Sequence, residues 1–180
     1  MPNPSEYFSV PRELYRLKPE RWLFDLALDW AVIVATFWVF GMFKSWWLAP
    51  FAALIIGARA HALGLLAHDG THRVALKNPR LNDFMTEFFI AWPLFVAIDH
   101  GYRPWHFEHH RHLGSAHDPE LDSYRGHDPY RDPVSWKRVA LFFVTDLFGC
   151  GLPGLFKFLK AVFPKSKPQR ILYPLLLWSA

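Results

Sequence analysis

The sequence predicts an all-α integral membrane protein: a transmembrane hairpin followed by cytosolic and interfacial helices that carry histidine clusters. Three observations predict it. Apolar residues make up 52% of the 180, with 17 Phe and 9 Trp, and they are concentrated in long blocks. The middle of the chain is polar and basic. Seven of the 10 histidines fall in two short clusters there or at its edge. The mean hydropathy near zero averages these unlike parts. The apolar content excludes a disordered chain, because enough surface can be buried to offset chain entropy. The single cysteine, Cys150, excludes a disulfide framework within the chain. A net charge of +4, mixed with 16 acidic residues, argues against a nucleic-acid partner.

Residues 1–22 read as a cytosolic segment. Arg12, Arg16, Lys18 and Arg21 are interleaved with Glu6, Glu13 and Glu20, which is not a signal-peptide pattern. Residues 23–180 read as one membrane domain. Its first span, about 24–43, rests on the apolar run Leu26 to Phe43, interrupted only by Asp29. Roughly 20 such residues cross a hydrocarbon layer of about 30 Å. Its second span, about 46–67, follows after only Lys44 and Ser45, so the two must form an antiparallel hairpin. Trp30, Trp38, Trp46 and Trp47 suit the interfaces or lipid-facing bulk. Asp25 and Asp29 lie one helical turn apart; such groups are either paired and buried or near an interface, and the cytosolic interface is the favoured place. Residues 73–138 hold Arg73, Lys77, Arg80, Arg103, Arg111, Arg125, Arg131, Lys137 and Arg138, against one lysine in the hairpin link. That asymmetry places the N-terminus and the polar middle in the cytosol. Phe88–Ile98 is short and contains Pro93, and Val139–Phe163 contains charges, glycines and a proline. Both are expected to be interfacial or re-entrant. Residues 171–180, ILYPLLLWSA, read as the start of a third span.

The first histidine cluster is His61, His68 and His72, within HALGLLAHDGTH. At about 100° per residue, the three occupy one narrow stripe of the second helix. His68 and His72 are one turn apart, so both imidazoles can reach one metal. His61 lies about 10 Å further toward the membrane, where it could bind a second metal or only line the pocket. The second cluster is His106, His109, His110 and His112, within HFEHHRH. On a helix the first three fall within about 100°, while His112 points to the side. Imidazoles so close repel when protonated, and neutral coordination of a metal relieves this. Either cluster alone has a structural reading as helix-surface histidines. Both together, on one side of the membrane, point to a metal. His100, His117 and His127 read as solvated loop residues, and Cys150 as a small apolar residue.

A zinc protease would carry glutamate after the first histidine, where this chain has Asp69. Five to seven imidazoles also exceed the three protein ligands of catalytic zinc and suit two metals. Nitrogen donors favour iron, copper or zinc over magnesium or calcium, and redox work requires iron or copper. Both clusters must share a face, which excludes a full span at Phe88–Ile98.

These residues resemble the membrane fatty acid desaturase superfamily. The likeness lies in His68-Asp69-Gly70-Thr71-His72 and in His106-Phe107-Glu108-His109-His110. It extends to Asn78–Asp83, Tyr102-Arg103 and Asp118-Pro119-Glu120, covering roughly residues 20–135. The resemblance implies two non-haem iron ions held by His68, His72, His106, His109 and His110, with His61 and His112 as further candidates. Asp69 and Asp118 would hold imidazole N–H groups, the rival reading being helix-surface or loop-capping carboxylates. It further implies O₂, a fatty acyl substrate in membrane lipid, and desaturation. Without a fused haem domain, electrons would come from a separate ferredoxin or cytochrome b5 type protein. The superfamily has a third histidine box, and this chain has no histidine beyond His127, so a truncated catalytic domain is expected. The rival functions are a lipid or carotenoid hydroxylase or ketolase, a membrane zinc hydrolase, and an inactive membrane partner.

Overall fold

The computed structural model describes residues 16–124 and 135–162. The expected third span at 171–180 and His127 lie outside the described residues. Among those described, the regular elements are helical. Two units follow each other along the chain, Met1–Phe84 and Met85–Ala180.

The first unit is built on the hairpin. Helix α1, Pro19–Phe43, opens with proline in its first turn and Glu20 beside it. Proline there gives up an N–H that has no intrahelical partner, and the carboxylate complements the helix dipole. It ends at Lys44, whose left-handed backbone (φ 46°) lets its N–H reach the Phe40 carbonyl at 3.0 Å. A single 3₁₀ turn, Trp46–Leu48, leads into α2, Ala49–Thr71. The α-helix thus starts three residues later than the apolar run and continues past Ala67 to the histidines. With 25 and 23 residues, the helices are about 37 and 34 Å long at 1.5 Å per residue. Both are long and apolar enough to cross a membrane.

The stripe Trp22, Leu26, Asp29 and Ile33 on α1 is buried, as are Leu63 and Ala67 on α2. The two helices pack against each other, and the Trp22 indole N–H donates to the Leu66 carbonyl at 3.2 Å. The remaining large side chains face outward, among them Phe24, Phe37, Trp38, Phe51, Leu54 and Leu65. An exterior richer in apolar groups than the interior suits lipid as solvent.

Asp29 is a buried, paired residue. It is 4% exposed and pairs with Arg59 of α2, Nη1 to Oδ1, at 3.0 Å. Ten residues into α1, it stands about 15 Å from the start of the helix. A charge buried between two apolar helices persists when a partner of opposite sign is supplied. Arg59 is that partner.

The chain leaves α2 through a left-handed residue that is not glycine, Arg73 (φ 58°). The Arg73 N–H donates to Gly70 and the Val74 N–H to Asp69, closing the helix end. The Arg73 guanidinium is held by Asp83 at 2.6 Å. Asn82, fully buried, ties the same turn down: its amide donates to the Gly70 carbonyl at 2.8 Å and accepts from the Leu76 N–H at 3.2 Å. Helix α3, Pro79–Thr86, is capped by Asn78, which accepts from Arg80 and Leu81. Asn82→Ala is expected to cost about 1–3 kcal/mol, because it strands a buried carbonyl and a buried N–H. Thermal unfolding in detergent measures this, and an unchanged transition would refute the role given to Asn82.

In the second unit, Phe88–Ile98 does not form a span. Two π-helical turns, Glu87–Ala91 and Ile98–Tyr102, flank a tight turn with Phe95 at φ 60°. The Glu87 carboxylate accepts from the Ile98 N–H at 2.7 Å across this turn. The second π turn runs directly into α4, Arg103–His112. Gly101 sits against α7, Leu152–Val162, so closely that a Cβ would lie 2.0 Å from the Val162 carbonyl oxygen. Only glycine permits that approach. Short α5, Pro119–Tyr124, packs on α4. Helix α6, Trp136–Leu147, is capped by the Ser135 hydroxyl and bends 75° into α7. Leu141, Phe143, Leu147, Phe148 and Phe156 stay exposed on this bent pair.

Candidate metal centre

In the first unit, the last turn of α2 presents His68, and His72 follows as the residue that caps it. The i, i+4 spacing brings the two rings to 4.7 Å between centroids, tilted by 60°. Both are half-buried. Their ring position depends on the helix end, so the Arg73 turn and the Asn82 tie support the pair. His61, seven residues earlier and exposed, takes no part in this contact. Asp69 is exposed and lines a cavity of about 500 Å³ with Arg16, Lys18, Arg21 and Trp22.

In the second unit, α4 places His106 and His110 one turn apart, with Nε2 to Nε2 at 3.0 Å. This is hydrogen-bond distance when one ring donates its N–H to the other, and it also suits two nitrogens sharing a metal. Cis ligands on metal–nitrogen bonds of about 2.1 Å would stand about 3.0 Å apart. The separation therefore fits a metal, and nitrogen donors fit iron, copper or zinc. His106 is buried and stacks on Tyr102, centroids 5.1 Å apart and 12° from parallel. The π turn at Ile98–Tyr102 sets that stack, and nothing in the sequence periodicity announces it. Such turns recur at functional sites because they re-aim the following helix.

His109 is turned toward carboxylates. Its Nδ1 lies 2.8 Å from Asp118 and its Nε2 lies 3.2 Å from Glu120. Asp118, 2% exposed, also accepts from the backbone N–H groups of Gly114, Glu120 and Leu121. Burial alone would raise its pKa. The hydrogen bonds from His109 and the three backbone groups outweigh burial and hold the carboxyl below its ordinary value of 3.8. The stabilisation this gives is present above that value and is lost as pH falls through the lower folded one. Among the two acidic candidates, Asp118 thus contacts an imidazole, while Asp69 lines the cavity. His112 lies 3.5 Å from Glu108 and beside His117, away from the His106–His110 contact.

Glu120 and Asn82 are the residues that sequence reasoning did not single out, although both lie in stretches it quoted. Their types recur too widely to stand out. Only the folded loop shows what they touch.

The sequence model of the fatty acid desaturase family matches residues 44–180, a stretch that contains both histidine clusters. The chain belongs to the fatty acid desaturase family. Together with the two long apolar helices, this makes it an integral membrane protein. It is 34% identical over 155 residues to dihydrorhizobitoxine desaturase of Bradyrhizobium elkanii, a match covering 83% of this chain and 43% of that desaturase. It is 29% identical over 120 residues to a putative sphingolipid delta(4)-desaturase/C4-monooxygenase of Caenorhabditis elegans, covering 60% of this chain and 33% of that protein. The chain spans less than half the length of these curated desaturase-family relatives. No solved structure matches it.

Proposed function

We propose that this protein acts in a membrane desaturase that introduces a double bond into a lipid acyl chain, using two histidine-held iron ions and O₂. His68, His72, His106, His109 and His110 are the ligands in this reading. When bound, the iron supplies O₂ activation and removal of hydrogen from an unactivated alkyl C–H bond, which acid–base side chains cannot perform. The observation that carries the reading is the 3.0 Å approach of the His106 and His110 nitrogens, with His109 seated on Asp118, in a chain of this family.

The protein's own contributions follow from its residues. The α2 end and α4 present imidazoles at one-turn spacing. Asp118 keeps the proton of His109 on Nδ1, which leaves Nε2 as the donor atom. The apolar exterior of the hairpin keeps the protein in the layer where an acyl substrate resides. The basic polar middle supports a cytosolic site, within reach of a separate ferredoxin or cytochrome b5 type electron donor.

Hydroxylation is the second reading, favoured by the sphingolipid relative, whose name couples desaturase with C4-monooxygenase. Expression of the full-length protein with lipid analysis separates the two. Loss of two hydrogens without added oxygen supports desaturation. An alcohol as the sole product would refute it. Metal analysis tests the centre itself: one zinc per chain and no iron would sink the di-iron reading.

A further inference from the structure

Tyr102 offers no metal-ligating nitrogen, yet it covers the buried histidine of α4, His106. Tyr102, His106 and His110 follow one another at one-turn spacing, so they share one stripe of the helix. The Tyr102 ring lies 12° from parallel to the His106 ring, and His110 meets His106 at 86° with centroids 4.6 Å apart. An imidazole can turn about the bond to its Cβ, and that turn swings Nε2 off its target. With the flat face of Tyr102 against it, the His106 ring cannot turn far without driving an edge into the phenol.

Tyr102 is held in turn by α7. Phe158 meets the Tyr102 ring edge-on, centroids 6.3 Å apart, and meets Trp105 in the same way at 5.7 Å. One turn further along α7, the Val162 carbonyl lies against Gly101, the residue before Tyr102, where no side chain fits. The Tyr102 N–H donates to the Ala97 carbonyl, five residues back, at 2.7 Å, which closes the wide turn that carries the phenol over His106. Ring and backbone of this residue are therefore fixed separately, and both by way of α7.

We infer that Tyr102, braced by Phe158 of α7, is a positioning residue: its ring sets the plane of the His106 imidazole and hence the direction of Nε2, which stands 3.0 Å from Nε2 of His110. The inference rests on the di-iron reading above and adds to it what aims one of the ligands. Asp118 orients His109 by hydrogen bonding, and Tyr102 orients His106 by its face. The rival is that Tyr102 and Phe158 only fill the interior of the second unit.

The full-length protein, purified in detergent and loaded with ⁵⁷Fe, separates the two. Tyr102→Phe keeps the flat ring, Tyr102→Leu keeps apolar bulk without it, and Phe158→Leu removes the brace and leaves Tyr102. Iron affinity and the Mössbauer spectrum are read on folded protein, beside thermal unfolding of the metal-free form. Positioning predicts that Tyr102→Leu weakens iron binding by about tenfold or more and shifts a quadrupole doublet, while Tyr102→Phe matches the wild type. Phe158→Leu should shift the same doublet in the same sense, by less. A lower unfolding temperature with unchanged affinity and spectrum in Tyr102→Leu would overturn the inference and leave packing alone. So would a Tyr102→Phe variant as impaired as Tyr102→Leu, because the effect would then belong to the hydroxyl. Should Tyr102→Leu fail to accumulate, Phe158→Leu decides by the same readout. Wild-type protein that takes up no iron would instead bring down the di-iron reading, and this inference with it.

Discussion

Replacing His109 or His68 by alanine is expected to abolish turnover by the full-length protein while leaving it in the membrane. The two substitutions remove a metal donor without touching what holds the hairpin together. The buried stripe of Trp22, Leu26, Asp29, Ile33, Leu63 and Ala67 contains neither histidine. His68 lies in the last turn of α2 and His109 on α4, which packs on α5 and, through Trp105, on Phe158 of α7. Altering a partner of a metal ligand already costs about 10–100-fold in affinity or activity, and loss of the ligand itself should exceed the upper figure. Asp118→Asn gives the graded case. It keeps a hydrogen-bonding side chain but removes the charge that holds the His109 proton, so a loss of about 10–100-fold is expected. Product formation in membranes, beside a membrane-fraction blot, reads all three. Wild-type rates in His68→Ala or His109→Ala would end the ligand assignment.

The second large effect concerns the charge pair within the hairpin. Arg59→Leu is expected to destabilise the protein by about 3–5 kcal/mol, because it leaves the Asp29 carboxylate buried without a counter-charge. Asp29→Leu should cost less. Arg59 is about a third exposed, and its long side chain can carry the guanidinium toward a polar surface. Combining both changes should recover most of the loss, since a leucine at position 29 joins the buried apolar stripe of Leu26 and Ile33 and no charge is left unpaired. Unfolding in mixed micelles, run as a double-mutant cycle, measures the coupling. Single variants as stable as the wild type would show that the pair contributes nothing there.

The two long apolar helices, their short link and the one-turn histidine spacings were legible in the sequence because each is a local property. An apolar run of known length, two linking residues and an i, i+4 interval need no knowledge of distant neighbours. The same locality explains why the partner of Asp29 was not legible. That partner, Arg59, lies 30 residues on. What stops α2 just after its histidines is likewise not marked along the chain. The helix is stopped by Arg73 in a left-handed conformation held by Asp83, with no glycine to mark the place.

By itself the sequence determined the class of protein, the two membrane helices and the imidazoles available for a metal, since hydropathy and helical periodicity are written residue by residue. Tertiary structure alone decided where those side chains are aimed. It set Asp29 against Arg59, Asn82 under the end of α2, Tyr102 on His106, and Asp118 and Glu120 on opposite nitrogens of His109. The physical reason is that charge compensation and ligand geometry depend on separations of about 3 Å in space. No spacing along the chain encodes these once a turn or a helix pairing intervenes.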